Sequence, residues 1–304
     1  MALSIIAYLA IATFIIAVLY RVIRVANTPA HLRWDLYPVP HEGFAKAKYG
    51  GSYYEDLDWW TKPRHVNKFS EISAMIPEII FLKGVWEANR GLWFWSWAFH
   101  FGLYLAIGLA ALAIISIFTG TAEGIGALIV SVAGPIGIIG YALGTLGCLG
   151  MLFKRTADEK LKNFTTGGAI FNLLFILAIS VTGLLAMINM GMNEYVTTLG
   201  QFLSSLIGLG GNANVTSLFA ANLIITLLFM AYMPFTHMAH FVLKYFTYHS
   251  IRWNDEPNTT GSKLEKKITE ALGYKPTWSA KHVQADGKKT WVDIATDEVY
   301  KDEK

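Results

Sequence analysis

Three histidines carry the chemistry this sequence could perform. His100 lies in NRGLWFWSWAFHFGLYLAIGL, and His237 and His240 stand three residues apart in PFTHMAHF, Pro234 to Phe241. Both stretches belong to long apolar runs. Imidazole is costly to place in lipid, so an intramembrane histidine defaults to a functional role. Two neutral imidazoles can ligate a haem iron from opposite faces, bind a transition-metal ion together with further ligands, or relay protons. They can also simply hydrogen-bond inside a helix bundle. The other histidines are weaker candidates. His31, His41, His65 and His282 fall in polar segments and read as solvated, and His249 faces away from His240 on a regular helix.

Choosing among these chemistries depends on the elements that hold the histidines. The 304 residues are 54% hydrophobic with a mean hydropathy of +0.39, which is too apolar for an ordinary soluble domain and indicates a polytopic membrane protein. The net charge of +3 gives no reason to expect a nucleic-acid partner. Cys148 is the only cysteine. One thiol cannot hold an iron–sulfur cluster, close an internal disulfide or attach a c-type haem, so a redox centre in this chain must rest on histidine.

A membrane helix needs about 20 mainly apolar residues. Five stretches qualify: Leu3 to Ile23, Leu92 to Phe118, Ile125 to Phe153, Phe164 to Met190 and Val215 to Tyr245. The first lacks a basic leader and a cleavage site and reads as a retained anchor. None of the 25 Lys and Arg falls in the connections around Thr119–Gly124 and Gly191–Asn214. The positive-inside rule then places the N-terminus outside and the C-terminus in the cytoplasm of an all-α, five-helix membrane bundle. The expected organisation is a first membrane helix (1–25), a cytoplasmic loop (26–91), a four-helix membrane bundle (92–250) and a cytoplasmic tail (251–304). In the loop, Ile72, Met75, Ile76, Ile79, Leu82 and Trp86 are spaced for an amphipathic interfacial helix. The tail piece TWSAKHVQADGKKTWVDIA suggests a docking segment for a soluble partner.

On these spans His100 lies roughly 12 Å below the inner surface, and His240 roughly 8–14 Å below it from the antiparallel fifth span. Matched depths on two helices favour bis-histidine haem ligation. A metal site would need more ligands, and no carboxylate lies near that depth. On a continuous helix His237 and His240 lie within about 60° of each other. Geometry alone therefore does not choose between them. The glycines of the third span, including Gly134, Gly137, Gly140, Gly144 and Gly147, read as a close-packing face. Trp86, Trp93, Trp95 and Trp97 read as an interfacial belt.

NRGLWFWSWAFHFGLYLAIGL and FMAYMPFTHMAHFVLKYF resemble the gamma subunit of respiratory nitrate reductase and its relatives. PE-x-x-FL-x-G-x-x-x-x-NRGLW and the WSAKH…DGKKTW tail look closer to the cytochrome b of sulfate-reducer transmembrane redox complexes, of the tetrahaem cytochrome c type. The likeness spans about residues 70–250. It implies a bacterial or archaeal cytoplasmic-membrane cytochrome b subunit with His100 and His240 as axial haem ligands. It also implies a quinone, menaquinone, as electron-exchange substrate, with a cytoplasmic iron–sulfur subunit as partner and a periplasmic multihaem cytochrome c reached through other subunits. His237 falls where the nitrate reductase subunit carries an arginine, which implies a place beside a haem propionate; Arg90 is a second candidate for that contact. Two-haem relatives carry an outer histidine pair where this chain has Ala110 and Asn222. One haem b is therefore expected, with Asn222 lining the outer position as a candidate quinone contact. The alternative is a haem-free anchor of the same kind of complex.

Overall fold

The computed structural model describes all residues except 1, 31–38, 43–51, 64–65, 120–122, 209–214, 254–255, 281–282 and 298–304. His31, His65 and His282 lie outside the described residues, as does the side chain of His41. Among the described residues the regular structure is helical, with no strand. In chain order the helices are α1 (Ala2–Ala26), α2 (Lys68–Ile80), α3 (Lys83–Ala88), α4 (Arg90–Thr119), α5 (Gly124–Ala157), α6 (Glu159–Lys162) and α7 (Gly167–Met190). They are followed by α8 (Met192–Leu206), α9 (Ser217–Tyr232), α10 (His240–Phe246), α11 (Lys263–Leu272) and α12 (Trp291–Thr296). Five helical stretches are long and apolar enough to cross a membrane: α1, α4, α5, α7 and Ser217–Phe235.

The fifth stretch is shorter than expected. A continuous helix to Tyr245 was expected, but it stops at Pro234. Met233–Phe235 forms a 3-10 turn, and a second one covers His237–Ala239 before α10 begins. Proline has no backbone N–H to donate, and its ring clashes with the carbonyl four residues back. The Thr236 hydroxyl donates to the Met233 carbonyl at 2.9 Å, beside the Thr236 backbone N–H that closes the turn. His237 and His240 therefore lie beyond the membrane-length helix, and the depth and rotation estimates that assumed one straight helix do not apply.

The expected amphipathic segment is likewise interrupted. Leu82 adopts a left-handed backbone (φ 50°) between α2 and α3, so the apolar stripe is carried by two helices.

The chain divides into two compact units. The first joins Met1–Ile16 with Met75–Thr236. Its densest contact is between α4 and α5, where glycine removes the side chains that would hold two helices apart. A Cβ on Gly102 would come within 2.8 Å of the Gly140 carbonyl oxygen. The close-packing face runs on through Gly144, Gly147 and Gly150. At the Lys/Arg-free end, Ala7, Leu109, Val130, Tyr195, Phe202 and Phe219 form the centre of an apolar core. Part of that core comes from α8, an amphipathic helix in what reads from sequence as a loop. It buries Tyr195, Val196, Thr198, Gly200 and Phe202.

The second unit joins Ala17–Ala74 with His237–Lys304. Here the Lys267 ammonium donates to the last carbonyl of α1, Ala26 O, at 2.6 Å. This is a favourable place for a cation at a helix C-terminus. The tail is folded rather than loose. Ser262 caps α11 through Glu265 N, Thr290 and Asp293 form a reciprocal capping box on α12, and Trp291 N–H bonds Tyr274 O. Backbone N–H groups of Lys289 and Lys288 hold the Asp286 carboxyl below its ordinary pKa, and the Thr290 backbone and hydroxyl do the same for Asp293. Depressed carboxyls add stability above their unfolded pKa and lose it as pH falls through the folded value. Amide exchange at Lys288, Lys289 and Thr290 should therefore accelerate selectively below about pH 4.

Candidate functional site

α4 presents two different faces around His100. Trp95 and Phe99 pack into the α5 glycines; a Cβ on Gly147 would stand 2.8 Å from Phe99 Cβ, and one on Gly150 2.7 Å from Trp95 Cγ. His100 follows Phe99 by about 100° of rotation and is half-buried. Its Nδ1 lies 2.7 Å from the Ser96 carbonyl oxygen. A carbonyl only accepts, so Nδ1 carries the proton and the lone pair sits on Nε2. This is the tautomer and anchoring that an iron-ligating imidazole uses.

One turn earlier, Trp97 stacks on Phe101 (5.0 Å, 12°) and on Trp93 (6.1 Å, 24°). Its indole Nε1 is buried without a hydrogen-bond partner, which places an unused donor about 60° round the helix from His100. Sequence reading saw Trp97 only as part of an aromatic belt. Arg90, the first residue of α4, sets its guanidinium over the Trp86 ring at 4.9 Å. Close by, Pro77, Phe81, Lys83, Trp86 and Trp93 line a shallow, open depression.

In the other unit, His240 is the first residue of α10, and its Nδ1 lies 3.2 Å from the His237 carbonyl. The same deduction places the lone pair on Nε2. His237 and His240 are both exposed. His237 thus holds His240 through its backbone rather than its side chain. Regular helix rotation could not show this distinction, because the 3-10 turn creates it.

Asn222 does not face open space. It is 2% exposed, and its side chain is fully engaged. The amide donates to Ile179 O at 2.8 Å and Thr182 Oγ1 at 3.1 Å, while Oδ1 accepts from Tyr195 OH at 2.6 Å and Tyr141 OH at 3.5 Å. The two tyrosine hydroxyls lie 3.0 Å apart, and burial lifts the Tyr195 pKa well above its ordinary value. Gly183 makes room for the Tyr141 ring, which a Cβ there would strike. α5, α7, α8 and α9 thus meet in one satisfied polar cluster, while Ala110 is exposed on α4. Asn222→Leu would strand several of these groups and should lower stability by roughly 2–4 kcal/mol, read as a fall in the thermal midpoint in detergent. Tyr141 and Tyr195 went unsingled in the sequence, although a tyrosine within a glycine-rich span is a readable signal.

Among the described residues, no cluster of three or more His, Cys, Asp or Glu could hold a bare ion. Each histidine, taken within its own unit, has the tautomer a haem ligand needs. His100 and His240 each have Nδ1 anchored on a carbonyl and the lone pair on Nε2, and Trp97 adds an unpaired buried N–H. Residues 86–254, more than half of the chain, match the family model for the nitrate reductase gamma subunit. No curated protein matches the chain.

Proposed function

We propose a function that follows from the chain's family: it belongs to the nitrate reductase gamma subunits, haem b-containing membrane cytochromes of respiratory complexes. It is a multi-pass membrane protein of that family, with partner subunits. Our reading is that the chain exchanges electrons between a quinone, menaquinone, and a cytoplasmic iron–sulfur subunit through one haem b. The observation that carries it is the matched Nδ1 anchoring of His100 and His240. These two residues would hold the iron. Bound there, the haem would supply a one-electron carrier.

The chain's own residues account for the remaining roles. His237 anchors the His240 ring through its carbonyl, and Trp97 Nε1–H and Arg90 are the donors available to haem propionates. The aromatic depression at Trp86 and Trp93, with Lys83 on its wall, supports entry of a quinone ring from the bilayer. Tyr141, Tyr195 and Asn222 fill the outer position with protein, which supports a single haem and argues against a quinone contact at Asn222. The lone Cys148 supports an iron–sulfur centre on a partner. The distribution of Lys and Arg supports an N-terminus outside and a cytoplasmic tail in a bacterial or archaeal membrane. The quoted motifs support the sulfate-reducer branch, with a periplasmic multihaem cytochrome c joined through other subunits.

Haem b per polypeptide, measured by pyridine haemochrome on the purified chain, tests this reading. One haem is expected. Two would overturn the single-haem reading, and none would leave a membrane anchor.

A further inference from the structure

A carboxylate and an imidazole far apart in sequence meet in the unit formed by Ala17–Ala74 and His237–Lys304. Glu71, in the first turn of α2, is only 8% exposed. Its Oε1 lies 3.2 Å from His249 Nε2, and its Oε2 lies 3.0 Å from Lys68 Nζ. The side chain of His249 is 19% exposed and that of Lys68 is 74% exposed. Solvent screens the lysine, so the carboxylate–imidazole pair is the part of the cluster withdrawn from water.

The backbone around His249 is unusual. It sits in a single π turn, Thr247–Arg252, closed by Trp253 N–H to Tyr248 O at 2.7 Å. Such turns are rare and often occur at functional sites. The imidazole is walled by the Tyr245 ring at 4.3 Å and the Trp253 ring at 5.0 Å. Among the described residues, the charged and titratable groups around it include Glu71 and Lys68 from α2 and Tyr245 from α10. Lys244 is turned to the Tyr248 ring at 5.7 Å.

We infer that Glu71 and His249 form a proton-exchange site linked to the oxidation state of the haem assigned above to His100 and His240, a reading on which this inference rests. α10 runs directly into the π turn, so His249 stands nine residues beyond His240, roughly 13 Å along the helix axis. An electron added to a carrier held at His240 would add negative charge there, and a titratable group within reach of that field gains proton affinity. The pair is built to respond. Glu71 holds Nε2–H, which leaves Nδ1 to take the second proton, and the carboxylate stabilises the imidazolium formed. Lys68 meets the other carboxylate oxygen from the solvent side. The step would balance: for each electron that a bound haem took from a one-electron iron–sulfur donor, Nδ1 would take one proton from bulk solvent, with no covalent bond between heavy atoms changed. Oxidation reverses both.

The test is a spectroelectrochemical titration of the purified haem-bearing chain across about pH 5 to 8, where histidine titrates. The wild-type midpoint potential should fall as pH rises, and His249→Gln should flatten that slope at unchanged haem content. Glutamine keeps an N–H donor for Glu71, so a purely structural role would leave the slope intact. Glu71→Gln provides a second variant should His249→Gln fold poorly. Redox-difference infrared spectra of 15N-histidine-labelled chain should show an imidazole change that His249→Gln removes. A pH-independent wild-type potential, or a wild-type slope retained in both variants, would overturn the inference. A chain without haem would instead refute the haem assignment.

Discussion

His100→Ala and His240→Ala should each yield a folded chain with little or no haem b, whereas His237→Ala should keep it. On the proposed ligation, removing either Nε2 takes away one of the two side chains that would hold the haem. The survival of His237→Ala follows from the anchoring geometry. His240 Nδ1 is held by the His237 carbonyl oxygen at 3.2 Å, and alanine at 237 keeps that carbonyl. The readout is the reduced-minus-oxidised absorbance spectrum with pyridine haemochrome quantitation, alongside circular dichroism to confirm the fold. Haem lost in His237→Ala and kept in His240→Ala would exchange the two assignments. Haem retained in His100→Ala would remove that residue from the coordination sphere.

The second large effect is steric. Gly147→Ala should lower the thermal midpoint sharply and reduce haem content, although residue 147 makes no contact with a ligand. Its Cβ would stand 2.8 Å from Phe99 Cβ and closer still to the Phe99 backbone, which cannot rotate away. Relief requires α4 and α5 to separate, at a cost of roughly 3 kcal/mol or more, the upper end for overpacking. Because Phe99 precedes His100, that separation also displaces the proposed ligand, and functional geometries tolerate about 0.5 Å. Gly150→Ala should cost less. Its Cβ meets the Trp95 indole, a side chain with rotamers to try. A thermal ramp in detergent that ranks Gly147→Ala below Gly150→Ala would support this order, and equal midpoints would contradict it.

Hydropathy read the positions of four spans closely because twenty apolar residues leave little freedom. The fifth was misjudged, since a mean over a window does not register a missing N–H. Pro234 carried that information in the sequence, and only its weight was underestimated. α8 was missed for a different reason. Tyr195, Thr198, Phe202 and Leu206 have helical spacing, but threonine, serine and Gly200 dilute the pattern to that of a loop. His100 was legible as a candidate because a lone imidazole in an apolar run stands out. The Glu71–His249 pair was not, because it joins residues from distant parts of the chain, and a regular helix would turn His249 away where the observed π turn does not. The filled outer position also escaped notice, since Asn222 shows its four partners only once α5, α7 and α8 are assembled around it.

The attachments of α1 bear on how the chain is made. Tyr8 donates its hydroxyl to the Leu206 carbonyl, and Lys267 reaches the Ala26 carbonyl from 241 residues further along the chain. At a synthesis rate of about 5–20 residues per second, on the order of ten seconds or more separate α1 from the lysine that secures it. Until Leu206 has emerged, α1 lacks the Tyr8 bond, and its C-terminal end waits longer still for Lys267. Membrane proteases and insertion chaperones would therefore meet that end unsecured, and a ribosome that stalls before α11 would release a chain in which it is still untied.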